Sequence, residues 1–214
     1  MKITMDQLKG WGACRDGYEL FLRRFPDGEA EYQDVLNALA EDDRPDYAYW
    51  LMNHAGPDRE SVIEVEAIAD CKHFFAAGRL VIKNGAAVTG RLRAGWGIEA
   101  GKGIKAGLGI EAGEGIKAGW GIEAGEGIKA GWGIKAGEGI KAGLGIKAGD
   151  GITAGDGIKA GEGITAGWGY GIFAGLCLRL EDWPIYARVI AKNKPDNLIS
   201  GSWVDPDLVA SEEK

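Results

Sequence analysis

The chain has 214 residues, 37 of them glycine, and a formal charge of −7 from 25 Lys/Arg against 32 Asp/Glu. No run approaches eighteen apolar residues, so a spanning helix is not expected. The three scattered cysteines, Cys14, Cys71 and Cys177, form no CxxC pair, which argues against a disulfide framework or a cysteine zinc site. Such thiol usage fits a reducing compartment. The opening Met1-Lys2-Ile3-Thr4-Met5-Asp6 lacks the apolar core of a signal peptide, and the expected location is the cytoplasm.

The charge is unevenly spread. Residues 1–70 hold seven Lys/Arg against sixteen Asp/Glu, residues 71–94 five basic and no acidic residues, and residues 95–169 eight lysines against nine acids. The acidity therefore belongs to the N-terminal segment, and the nearly neutral stretch that follows is no DNA mimic.

Residues 1–56 predict a small acidic α-helical domain. Thr4 and Gln7 make a capping box. Tyr18, Phe21, Leu22 and Phe25 recur at helical spacing before the turn cluster Pro26-Asp27-Gly28, and Tyr32, Val35, Leu36 and Leu39 form a second apolar stripe. Asp43 is expected to cap a further helix with Pro45 in its first turn, Tyr47, Trp50 and Leu51 on its inner face, and Gly56-Pro57 at its end. The carboxylates Glu29, Glu31, Asp34, Glu41, Asp42 and Asp43 fit either a solvated outer face or a docking surface for a basic partner. Residues 57–73 then supply a connecting strand or linker, because Ser61–Ile68 alternates apolar and polar positions.

From residue 74 to 180 the chain repeats the hexad Ala-Gly-x-Gly-Ile-z, which predicts a β-solenoid. Ile and the Ala two residues on share one side of a strand, with Glu, Lys or Thr between them on the other. Gly-x-Gly makes the corner, where glycine permits positive φ or close backbone approach. So many glycines without a 3.6-residue stripe exclude a helix. At x, Trp96, Leu108, Trp120, Trp132, Leu144 and Trp168 alternate with Lys102, Glu114, Glu126, Glu138, Asp150 and Glu162, Asp156 being an interruption. Coils of twelve or eighteen residues both accommodate the hexad, and the period-twelve alternation favours twelve, giving about nine coils and a rod of about 43 Å. The Trp/Leu residues then stack along one edge, covered by the chain's own termini, by a second copy in a homodimer, or by a foreign partner. Residues 181–214 are expected to cap the solenoid with strands at Ile185–Ala191 and Asn197–Val204.

No catalytic set emerges. Gly95-Trp96-Gly97-Ile98-Glu99-Ala100 matches the dinucleotide-binding glycine pattern only formally, without the strand, helix and acidic residue that give it meaning. Of the two histidines, His54 is a helix-end residue and His73 lies outside the regular repeat. No cofactor, metal site or enzymatic activity is expected. Hexapeptide acyltransferases place a small residue four positions after the aliphatic one, where this chain has Lys102 after Ile98. Ice binding needs a threonine array, and only Thr153 and Thr165 qualify.

The start containing Gly10-Trp11-Gly12-Ala13-Cys14, joined to Gly-Trp-Gly-Ile-Glu-Ala-Gly repeats, resembles glycine-rich hexad-repeat β-solenoid proteins encoded by phages and prophages. The resemblance spans most of the chain and brings no catalytic residues with it. It implies an accessory protein in the host cytoplasm that binds and inhibits a host complex, of a defence type that handles nucleic acid. The partner is then a protein, the chain itself, or both, with no direct nucleic-acid binding and no membrane. The competing expectation is a structural spacer or virion component.

Overall fold

The computed structural model describes residues 1–167 and 169–212, so Trp168 of the expected edge lies outside the described residues. The N-terminal part runs β1 (Lys2–Thr4), α1 (Met5–Gly10), α2 (Arg15–Arg24), β2 (Glu29–Glu31), α3 (Tyr32–Glu41) and α4 (Pro45–Ala55), with β1 and β2 antiparallel. The capping box forms: the Gln7 N–H donates to Thr4 Oγ1 at 3.3 Å and the Thr4 N–H to Gln7 Oε1 at 2.8 Å. Tyr32, Val35, Leu36 and Leu39 are all buried on one face of α3, as their spacing predicts. Gly56 ends α4 with φ 72°.

Asp43 is not the cap of α4. Arg44 occupies that position, while Asp43 takes φ 56° in the reversal between α3 and α4 and turns its carboxylate toward Lys72 and His73. Aspartate is among the few non-glycine residues that visit the left-handed region readily.

Beyond the helices the chain winds as a three-sided parallel β-solenoid. The first face carries eight strands from Val62–Val65 to Leu198–Ser200, the second eight from Ile68–Cys71 to Ser202–Val204, and the third six from Phe74–Ala76 to Ile164–Thr165. Paired residues lie eighteen apart, as in Ile104↔Ile122 and Ile110↔Ile128. The coil is therefore eighteen residues, one hexad per side, and not the twelve that alternation at x predicts. Ile and Ala from the three sides fill a continuous axial core from Ile68 to Ala191.

Charge favours the longer coil, although Lys117, Lys129 and Lys141 still stack opposite Lys135, Lys147 and Lys159. A twelve-residue coil would stack Glu99 on Glu111 on Glu123, like charges on adjacent strands. At eighteen, each of these three glutamates lies within reach of two cations. Arg79 and Lys117 both reach Glu99 at 2.8 Å, Lys105 and Lys141 reach Glu123 at 3.3 Å, and Arg93 and Lys129 reach Glu111 at 3.9 and 3.3 Å.

The corner glycines are also used differently from one of the two expectations. Those from Gly85 to Gly163 have no left-handed backbone, so their role is close approach. A Cβ on Gly131 would sit 1.9 Å from the Gly113 carbonyl oxygen one coil below.

The first coil starts within residues 57–73, because Val62–Val65 pairs with Arg79–Ile82 and Ile68–Cys71 with Ala86–Val88. At the other end Arg188–Ile190, Leu198–Ser200 and Ser202–Val204 continue the parallel sheets as further rungs. Leu198 stacks opposite the buried Ile172 and the exposed Trp203 opposite the buried Val189, and the Trp203 indole donates to Ala191 O at 2.9 Å. Seven steps of about 4.8 Å between eight strands give a rod of about 34 Å.

The helices sit on the start of the third face. Phe75 and Ala77 are buried in the helical core, and the Gln33 side chain donates to Phe75 O at 2.7 Å while accepting the Ala77 N–H at 2.9 Å.

Candidate functional site

The eighteen-residue coil disperses the expected aromatic edge over three corners. Backbone hydrogen bonds connect Trp96, Glu114, Trp132 and Asp150 in one column, Lys102, Trp120, Glu138 and Asp156 in a second, and Leu108, Glu126, Leu144 and Glu162 in the third. A period of twelve wound on eighteen repeats every thirty-six residues, so the first and third columns alternate a large apolar residue with a carboxylate, whereas the second runs from Lys102 and Trp120 to the carboxylates Glu138 and Asp156. No single hydrophobic edge exists among the described residues.

The dispersed residues differ in environment. Trp96 is half-buried beneath the Arg59 guanidinium, 5.8 Å from its ring, and Leu108 is also half-buried. Trp120, Trp132 and Leu144 are exposed, at 52%, 57% and 48%. Trp120 carries the Lys102 ammonium 5.5 Å from its ring, whereas Trp132 has a carboxylate on the rung before it and another on the rung after. Among the described residues, neither Glu114 nor Asp150 meets a cation of this chain, while Glu126 is held by Arg91 at 2.9 Å.

The six carboxylates read as a docking surface are mostly engaged within the chain. Glu29 pairs with Lys2, Glu31 with the N-terminal ammonium, Glu41 and Asp42 with Arg24, and Asp43 with Lys72 and His73. Asp34 is exposed in the first turn of α3, where a negative charge suits the helix dipole. The Arg24 contact holds Asp42 below the ordinary carboxylate range, and Lys72 followed by His73 does the same for Asp43. This surface is a set of ion pairs distributed around the domain.

Sequence spacing gave no hint of the environment of His73. Its ring is 4% exposed, stacks on Phe75 with centroids 5.8 Å apart, accepts the Arg91 N–H on Nδ1 at 3.0 Å and places Nε2 2.9 Å from Asp43 Oδ1. With Nδ1 accepting, Nε2 carries the proton and donates to the carboxylate. Both nitrogens are committed, so His73 pins the α3–α4 turn to the second coil and offers no free base. Gly90 makes room for it, since a Cβ there would lie 2.5 Å from His73 Cε1. His54 is a helix-end residue as expected, its Nδ1 2.8 Å from Trp50 O and its ring packed on the Trp50 indole.

No group of three or more metal-ligating side chains occurs among the described residues, and none of their helices is long and apolar enough to cross a membrane. A family model described as the YdhT N-terminal domain matches residues 1–55, the helical part of the chain. Neither the curated proteins nor the solved structures contain a match.

Proposed function

We propose that this chain is a non-enzymatic binding scaffold whose solenoid corners engage the basic surface of a protein partner. The column Glu114–Trp132–Asp150 carries the proposal. It presents an exposed indole between two carboxylates that, among the described residues, no cation neutralises, with successive rungs about 4.8 Å apart. A lysine or arginine arriving there meets an aromatic face and a charge partner together. Tryptophan is also enriched among residues that dominate binding energy.

The target class is a host complex that handles nucleic acid, whose basic groove this surface would occupy, as befits an inhibitor of phage or prophage origin. The three free thiols fit action in a reducing cytoplasm. The structural-spacer reading draws on the uniformity of the hexads, which lets length vary without altering cross-section.

The test compares the wild type with a Trp120→Glu, Trp132→Glu double variant in affinity capture from bacterial lysate, with light scattering on both. Salt-sensitive retention of a basic nucleic-acid-binding protein by the wild type, lost in the variant, supports the scaffold. Identical captures from both refute it, and self-association alone transfers the corners to a homodimer or spacer role.

A further inference from the structure

The helical domain contains a feature that the corner surface does not use. Helix α2 is tied to its neighbours by polar contacts at its two ends. At its start the Cys14 thiol lies 3.7 Å from the Tyr47 hydroxyl, and at its finish Arg24 forms a two-point ion pair with Asp42. Between these ties, α2, α3 and α4 leave a cavity of about 290 Å³ lined chiefly by Leu20, Phe21, Val35, Leu39, Trp50 and Leu51. Interiors are normally packed to crystal-like density. An apolar void of about 150 Å³ suffices to bind benzene, and this one is nearly twice that size.

We infer that the α2–α4 cavity is a binding pocket for a small, uncharged apolar molecule about the size of two fused rings. Volume sets the size and the lining sets the apolar character. Absence of charge follows from the rim, where Arg24 is taken by Asp42, and Asp46 by Arg44 at 2.8 Å, leaving no free ion to meet a charged ligand. The Cys14–Tyr47 thiol–hydroxyl contact supplies one polar handle at the mouth. The pocket lies wholly within residues 1–55, the part that matches a family model, so it belongs to the helical domain and not to the repeat.

The test titrates 2-naphthol into the isotope-labelled full chain and follows amide shifts. Binding in the sub-millimolar range is expected, with shifts concentrated at Leu20, Phe21, Leu39, Tyr47 and Leu51, and 2-naphthoate binding at least tenfold more weakly. Gly17 faces Tyr47, where a Cβ would sit 3.6 Å from the ring, so Gly17→Leu fills the mouth while improving helix propensity. It should weaken naphthol at least tenfold with the melting temperature held or raised. Leu39→Phe, which fills the cavity from α3, should do the same and serves if Gly17→Leu fails to fold. Shifts that are absent, that centre on Trp120 and Trp132, or that persist in the filled variants overturn the inference.

Discussion

Adding one methyl group at two glycines on either side of the same tryptophan tests the corner geometry directly. A Cβ on Gly131 would stand 1.9 Å from the Gly113 oxygen, whereas one on Gly133 would stand 3.2 Å from the Gly151 oxygen, a difference of 1.3 Å at otherwise similar sites. The obstacle at Gly131 is backbone, which has no rotamer to yield. Relief requires the corner to lift, loosening the Gly131 N–H to Ala112 O and Trp132 N–H to Glu114 O bonds, both 3.1 Å. Two backbone bonds at about 0.5–1.5 kcal/mol each and overpacking of about 1–3 kcal/mol outweigh the roughly 0.4–1 kcal/mol gained by restricting the unfolded chain. Gly131→Ala should thus cost about 2–4 kcal/mol. Gly133→Ala should stay within about 1 kcal/mol of wild type, since crowding and chain-entropy gain nearly cancel there. Urea unfolding followed by circular dichroism measures both. If the two variants unfold within about 0.5 kcal/mol of each other, the close-approach account of the corner is wrong.

Other perturbations reach different parts of the molecule. The Tyr32 hydroxyl is buried with no hydrogen-bond partner among the described residues, and its burial raises the phenol pKa; Tyr32→Phe should leave stability unchanged or raise it by up to about 1 kcal/mol, and a loss above that in chemical denaturation contradicts the assignment. Glu99 and Glu123 titrate below the ordinary glutamate range, held by Lys117 and Arg79 and by Lys105 and Lys141 respectively. Because their folded values are depressed, their contribution is present above the unfolded pKa of about 4.3 and disappears as pH falls through the folded value. Both are partly exposed, so Glu123→Gln should cost only about 0.2–1 kcal/mol at neutral pH and low salt, the gap to wild type closing on acidification. Removing Gly121–Trp132 preserves the hexad frame and should retain a cooperative melt, whereas removing nine residues, Gly121–Lys129, joins Trp120 to Ala130 out of frame and should abolish it; equal melting of the two would refute the hexad as the geometric unit.

Much of this architecture was legible from local chemistry. The buried stripe of α3, the Thr4–Gln7 box and the Ile-z-Ala strands each follow from spacing within one element, where a few residues determine the outcome. The coil length was not read correctly, although the information was present. Alternation at x invites stacking of like with like, but the x residues sit at corners outside the Ile/Ala core and constrain the winding little. The z residues stand on the sheet faces, where charges one strand apart interact, and the pairs Glu99–Lys117 and Glu123–Lys141 favour eighteen. The expected single edge failed with the coil length, since it depended on that one number. His73 and the α2–α4 cavity were invisible because both arise where helices meet other elements, and no spacing rule reports such contacts.

The seating of the helices on the first rungs has a consequence for how the molecule assembles. Strands of the regular repeat bond to neighbours eighteen residues away, so each new rung needs only an existing one as its template. The costly event is making the first rung, and Gln33, Phe75, Ala77 and the His73–Asp43 contact attach that rung to a domain with its own core. Domains generally fold as units, the N-terminal one first as the chain emerges from the ribosome. The helical domain is thereby placed to serve as a primer, giving a ladder of near-identical steps a definite starting end from which rungs would be added in the direction of synthesis.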